Sequence, residues 1–188
     1  MALKRGNEIP TIDVVLVTIV TADNNTEIAL DTASRIGVTV ETETQDAVKL
    51  IIKGQLKAQK RAKTTITGNT ITLTDNVFNP EVVKILQGGE IAYESGEGSK
   101  ITGYTPPVAG STDKGEVFTL KAYSAIYDAA GLITGYECIS YPNCEGTPIA
   151  LESEDDVFRA PEYTINSAPK TGEAPYAITY VDELPAVG

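Results

Sequence analysis

The chain has no histidine and no tryptophan, one methionine, two cysteines, and only 15 lysines and arginines against 26 aspartates and glutamates. Each shortage removes a class of function. Without histidine there is no Ser-His-Asp or Cys-His catalytic arrangement, and the commonest metal ligand is missing. Carboxylate pairs and lysines remain, but no local motif pairs two carboxylates for hydrolytic work. No enzymatic activity, metal or cofactor is expected. The net charge of −11 argues against a protein that grips nucleic-acid phosphates, which needs a basic footprint. It leaves open a surface that nucleic acid passes without sticking. No apolar run approaches the roughly 20 residues of a membrane span, so no membrane partner is expected. The Val14–Val20 run follows Glu8, Pro10 and Asp13, unlike a signal peptide, and a cytosolic compartment is expected.

Two thiols without histidine make a poor zinc site. Cys138 and Cys144 are spaced to bridge a turn, yet cytosolic thiols stay reduced, and two reduced cysteines, one or both half-buried, are expected. With 41% apolar and 22% charged residues over 188 positions, the chain reads as one globular domain.

The most sharply punctuated stretch is Asn69–Gly89. Ile71 and Leu73 alternate with Thr70, Thr72 and Thr74, the period of a half-buried strand. A turn at Asp75-Asn76 leads into a short helix. Asn79 can cap it, Pro80 suits its first position, and Glu81 meets the positive end of its dipole. Val82, Val83, Ile85 and Leu86 form its apolar side, and Gly88-Gly89 ends it.

Elsewhere the patterns are those of strands. Thr11–Thr21 is rich in β-branched residues, and Ala22-Asp23-Asn24-Asn25 is a turn cluster. Glu27–Leu30 is a short strand. Arg35–Glu43 alternates Ile36, Val38 and Val40 against Thr39, Glu41 and Glu43, giving one wet, acidic face. Glu90–Glu94 begins a further strand, and Ser95–Gly115, rich in Gly, Ser, Thr and Pro, reads as a long loop. Glu116–Asp128 and Leu132–Tyr141 form a hairpin across Ala129-Ala130-Gly131. Thr147–Glu152 reads as a strand, the acidic run Glu152–Asp156 as a solvated loop without calcium-loop spacing. Glu162–Ser167 and Pro175–Val181 close the chain as strands around a turn at Lys170–Glu173. The fold class is mainly β: an antiparallel sandwich or barrel of eight to ten strands with one short helix.

Thr44–Thr64 is a charged connection that fits two states. Lys49, Lys53, Lys57 and Lys60 recur at helical spacing, whereas Ile51-Ile52 and Gly54 suit a strand or kinked loop. With Arg61 and Lys63 it concentrates six cations in an acidic chain. Either this is a solvated basic face, or an arm that docks on an acidic surface of another copy.

The stretch Ile71-Thr-Leu-Thr-Asp-Asn-Val-Phe-Asn-Pro-Glu-Val-Val-Lys-Ile-Leu-Gln-Gly-Gly89 resembles the strand–turn–helix segment of bacteriophage major tail proteins, the tail-tube subunits. The match covers about a tenth of the chain. The resemblance implies a sandwich with a flanking helix and six subunits per ring, their inner sheets joined into one barrel around a lumen. Rings would stack into a tube through loops and arms, in the virion tail, after assembly in the bacterial host cytoplasm. Partners would be further copies and other tail proteins such as tape measure, terminator and sheath, with DNA passing unbound through an acidic lumen. Interface candidates are Lys49, Lys53, Lys57, Lys60, Arg61 and Lys63 of the arm, with Asn79, Pro80, Glu81, Val82 and Ile85 of the helix. Glu41 and Glu43 are lumen candidates. The competing reading is a β-sandwich adhesin or carbohydrate-binding module using Tyr93, Tyr104, Tyr123, Tyr127, Tyr136 and Tyr141, against which stands the lack of tryptophan.

Overall fold

The computed structural model describes residues 8–23, 27–94, 100–112 and 114–187. It is mainly β, with twelve strands and one helix among the described residues. The strands are β1 (Thr11–Thr21), β2 (Glu27–Leu30), β3 (Ala33–Gln45), β4 (Val48–Ile52), β5 (Gln55–Lys60) and β6 (Lys63–Asp75). The helix α1 (Pro80–Gln87) follows, then β7 (Glu90–Tyr93), β8 (Ile101–Thr105), β9 (Phe118–Tyr127), β10 (Ile133–Gly146), β11 (Glu162–Ser167) and β12 (Ala177–Val181).

The large sheet is antiparallel and ordered β2-β1-β9-β10-β11-β6-β3. Its two end strands, β2 and β3, are consecutive in the chain, linked by Asp31-Thr32, and β1 also contacts β3. The sheet therefore curls back on itself instead of lying open. Strand β10 makes the fork. Its Tyr136–Ser140 part pairs with β12, whereas Cys144–Gly146 pairs with β11. A bulge between Tyr141 and Cys144 turns the strand from one partner to the other.

Alternation decides which side of each strand is buried. Val17 and Ile19 of β1, Leu120 and Ala122 of β9, Ile71 and Leu73 of β6, and Tyr163 and Ile165 of β11 share one core. The helix fills its remaining side, and Val82, Val83, Ile85 and Leu86 are all buried in that same core. Each such side chain contributes about 1.5–3 kcal/mol. Backbone comes equally close: a Cβ at Gly146 would stand 2.6 Å from Leu86 Cα. The Asn79 side chain accepts from the Glu81 amide at 2.9 Å, and Gly88, at φ 82°, donates to Lys84 O at 2.8 Å. Both ends of the helix are closed as its sequence requires.

A smaller cluster of Leu16, Tyr123 and Cys138 lies on the opposite face of the sheet, beneath Val181 and Leu184. Cys138 and Cys144 thus belong to different faces, fully buried and unbridged, which rules out the turn-bridging alternative. Burial pushes the Cys144 thiol up to about 11.

Two expectations need correcting, and one open alternative resolves to strand. The 95–115 stretch is not one loop, because Ile101–Thr105 pairs with Glu90–Tyr93 as β8; residues 95–99 and 113 lie outside the described residues, as does the Asn24-Asn25 part of the first turn. Thr147–Glu152 is not a strand. Thr147 still bonds Thr164 O, but the Ile149 amide turns to Gln87 Oε1 at 2.9 Å. The charged connection at 44–64 is a β-hairpin, described next.

Candidate functional site

Strands β3 and β6 pair from Ala33↔Asp75 out to Gln45↔Lys63, far beyond the core they begin on. At the inner end, Ile36, Leu73 and Ile71 pack into the core. From Val38 to Thr67 every residue is exposed. The chain continues past Gln45 into β4 and returns through β5, paired from Val48↔Lys60 to Ile52↔Gln55. This arm carries its own ladder and no core.

Its tip explains why spacing alone left the segment ambiguous. The two-residue loop is Lys53-Gly54, with φ 50° and 77°. Paired positive φ values are what a tight hairpin turn needs, usually met by Asn-Gly or Asp-Gly. Lysine in the left-handed region is uncommon, so the sequence offered only half of the signal. A bulge between Leu50 and Ile51 adds a residue on β5 and breaks the strict alternation.

The arm exposes Val48, Leu50, Ile51, Ile52 and Leu56, with Ile51 at 61% and Val48 at 64%. Interspersed with them are Lys49, Lys53, Lys57, Lys60, Arg61 and Lys63, all exposed. Among the described residues none of these six forms an ion pair; Lys57 Nζ donates to Gln55 Oε1 at 2.9 Å. Apolar side chains and unpaired cations together on an unsupported hairpin are a combination of a surface built for contact. At its base, on the face opposite Val38 and Val40, Glu41 accepts from the Thr70 hydroxyl at 2.6 Å, and the Thr65 hydroxyl donates to Glu43 O.

The helix candidates separate into two groups. Glu81 is exposed, and Asn79 and Pro80 are half-buried. Val82 and Ile85 are at 0% and 6% exposure, so the chain's own core takes them and they offer nothing to a neighbour. The reason is the narrow helix with sheet on its apolar side and the Gly115 and Gly146 backbone against it.

Three of the six candidate tyrosines are taken up by the fold. Tyr123 and Tyr141 are buried, in different clusters, and Tyr104 is held by donating to Gly88 O at 2.7 Å and accepting from Gln87 Nε2. Tyr93 is exposed, and Tyr127 and Tyr136 are half-buried.

Sequence reasoning missed a groove of about 960 Å³ at the other end of β6. Thr74, Glu152, Glu154, Phe158, Glu162 and Thr164 line it. Arg159 shapes its wall, donating from Nε to Glu152 O at 3.1 Å and from Nη2 to Ser153 Oγ at 2.6 Å while stacking over Phe78. The acidic run was legible; that it frames a groove was not, because the groove forms only where the 148–164 stretch closes against Thr74 of β6. No group of three or more cysteines, aspartates and glutamates among the described residues is placed to hold a metal ion.

No family model matches the chain, and no curated protein matches it. Among solved structures it is similar to a chain of the anti-feeding prophage baseplate, determined by cryo-electron microscopy with six-fold symmetrisation. The two share 8% identity at a TM-score of 0.34, over 96% of this chain and 95% of that one. A likeness that low carries no function across.

Proposed function

We propose that the chain is a non-catalytic structural subunit of the tail tube of a bacteriophage or phage-tail-like particle. Copies form stacked six-membered rings around a lumen through which DNA passes during ejection. The six-fold ring and the lumen come from the resemblance of Ile71–Gly89 to major tail proteins. The observation that carries self-association is the arm. A hairpin exposed from Val38 to Thr67, apolar and basic on an acidic chain, is a liability for a solitary molecule and an asset for an assembling one.

Other features fit the same reading. Among the described residues, strands β3 and β12 each pair on one side only, leaving free edges, and β12 exposes Ile178 and Tyr180. Pairing such edges between copies removes the unsatisfied backbone groups. Glu41 and Glu43 are exposed carboxylates available to a lumen wall, where they would repel phosphates within a Debye length. Tape-measure, terminator and sheath proteins are the further partners of such a tube, in a virion tail assembled in the host cytoplasm.

The test removes the arm. Residues 46–62 are replaced by Asn-Gly, closing the β3–β6 ladder with a tight turn. The expected result is a folded subunit with a near-unchanged melting temperature that no longer associates. Association equal to that of the full chain would overturn the role of the arm.

A further inference from the structure

We infer that the receptor for the arm is the groove framed by Glu152, Glu154, Phe158 and Glu162 on a second copy of the chain. The inference rests on the self-assembling reading above and adds where the arm lands. Three observations carry it.

The first is complementarity. The arm brings Lys57, Lys60 and Arg61 beside exposed Leu50 and Leu56. The groove brings Glu152, Glu154 and Glu162 beside Phe158 at 93% exposure and Val157 at 60%, with exposed Asp155 and Asp156 in the same acidic run. Each surface holds what the other lacks: cations with aliphatics on one, carboxylates with an aromatic on the other. An isolated phenylalanine that exposed is the kind of anchor that a partner's apolar side chains cover.

The second is capacity. At about 960 Å³ the groove is large enough for several side chains. Its walls are fixed by the Arg159 bonds and by the Glu162↔Thr74 pairing, so a binding segment meets a preformed site.

The third is placement. The arm leaves β6 at Lys63 and the groove lies against Thr74, near the opposite end of the same strand. At about 3.3 Å per residue those ends are roughly 40 Å apart. An arm and a receptor at opposite ends of one strand make a head-to-tail contact. Such a contact leaves one free arm and one free groove at the two ends of any assembly, so growth continues along that direction.

The test is a charge exchange. One variant carries Lys57→Glu, Lys60→Glu and Arg61→Glu; the other carries Glu152→Lys, Glu154→Lys and Glu162→Lys. Folding of each is checked by its melting temperature, and association by sedimentation velocity beside the wild type. Each variant alone has arm and groove of like sign and is expected to lose association. An equimolar mixture restores opposite signs at both junctions, in alternation, and is expected to associate as the wild type does. If the arm variant fails and the groove variant assembles normally, the arm lands elsewhere: this inference falls and the tube reading stands. If both fail and the mixture also fails, arm and groove are not a pair. If the arm variant assembles normally, or the wild type itself stays monomeric at every concentration, both readings fall. Should the groove variant unfold, Phe158→Ser replaces it, with at least about tenfold weaker association expected for loss of an anchor; unchanged association of that variant would overturn the inference.

Discussion

Asn69 donates from Nδ2 to the Pro175 carbonyl at 2.9 Å, joining β6 to the start of β12. Asn69 is almost fully buried and stands opposite Val40, where the core ends and the exposed arm begins. The bond ties β6 to the segment leading into β12 at the base of the arm. Replacing Asn69 with Ala removes the donor and leaves the Pro175 carbonyl short of a partner, so about 1–2 kcal/mol of stability should be lost. Urea denaturation measures it, and a change below a few tenths would show the tie to be incidental.

The helix is clamped by backbone as well as capped. Gly146→Ala would place a methyl 2.6 Å from Leu86 Cα, and neither backbone can yield cheaply. A loss of about 1–3 kcal/mol is expected from overpacking. Asn79→Ala should cost about 1 kcal/mol through the lost cap. Thermal unfolding of both variants, read at one heating rate, gives the comparison.

Much of this was written plainly in the chain. Strand β1 showed itself by a β-branched run, β6 by strict alternation, and α1 by a cap at one end and a glycine pair at the other. What stayed hidden has physical causes. Ile101–Thr105 is surrounded by Gly, Ser, Thr and Pro, so composition masked a strand that its pairing with β7 creates. Strand β10 runs on to Gly146 through Pro142-Asn143, where Asn143 at φ 50° carries the bulge, and a pattern search stops at the irregularity. Periodicity identified Val82 and Ile85 as apolar but could not tell a core from a neighbour. The arm's cations were evident; its hairpin was not, for lack of an Asn-Gly or Asp-Gly turn.

Stability should fall on the alkaline side. Burial pushes Tyr163 and Tyr123 up to about 12 and Cys144 up to about 11, from ordinary values of 10.0 for tyrosine and 9.0 for the thiol. Burial likewise raises Tyr141. These groups are neutral when protonated, so above about pH 9 the unfolded chain gives up protons that the folded chain keeps. Their contribution is complete below the unfolded values and is lost as pH rises through the folded ones. The denaturation midpoint should therefore drop steadily from about pH 9 to about 12, and Tyr163→Phe should flatten part of that slope. A midpoint that holds or rises over this range would contradict the assignment.

Association should also respond to salt. The arm's cations form no ion pairs among the described residues, so their attraction to carboxylates on another copy is screened as the Debye length falls from about 10 Å at 0.1 M to about 3 Å at 1 M. The apolar part of the contact persists. Sedimentation at the two salt concentrations should show weaker, not abolished, association at the higher one. Strengthening with salt would mean that the arm's charges play no attractive part.

The most direct test of the account is an electron micrograph of the purified chain at high concentration, beside the variant that lacks residues 46–62. The account predicts hollow rings or tubes with six-fold end views for the full chain and none for the variant. Compact monomers from the full chain under every condition, including in the presence of a tail initiator complex, would contradict it.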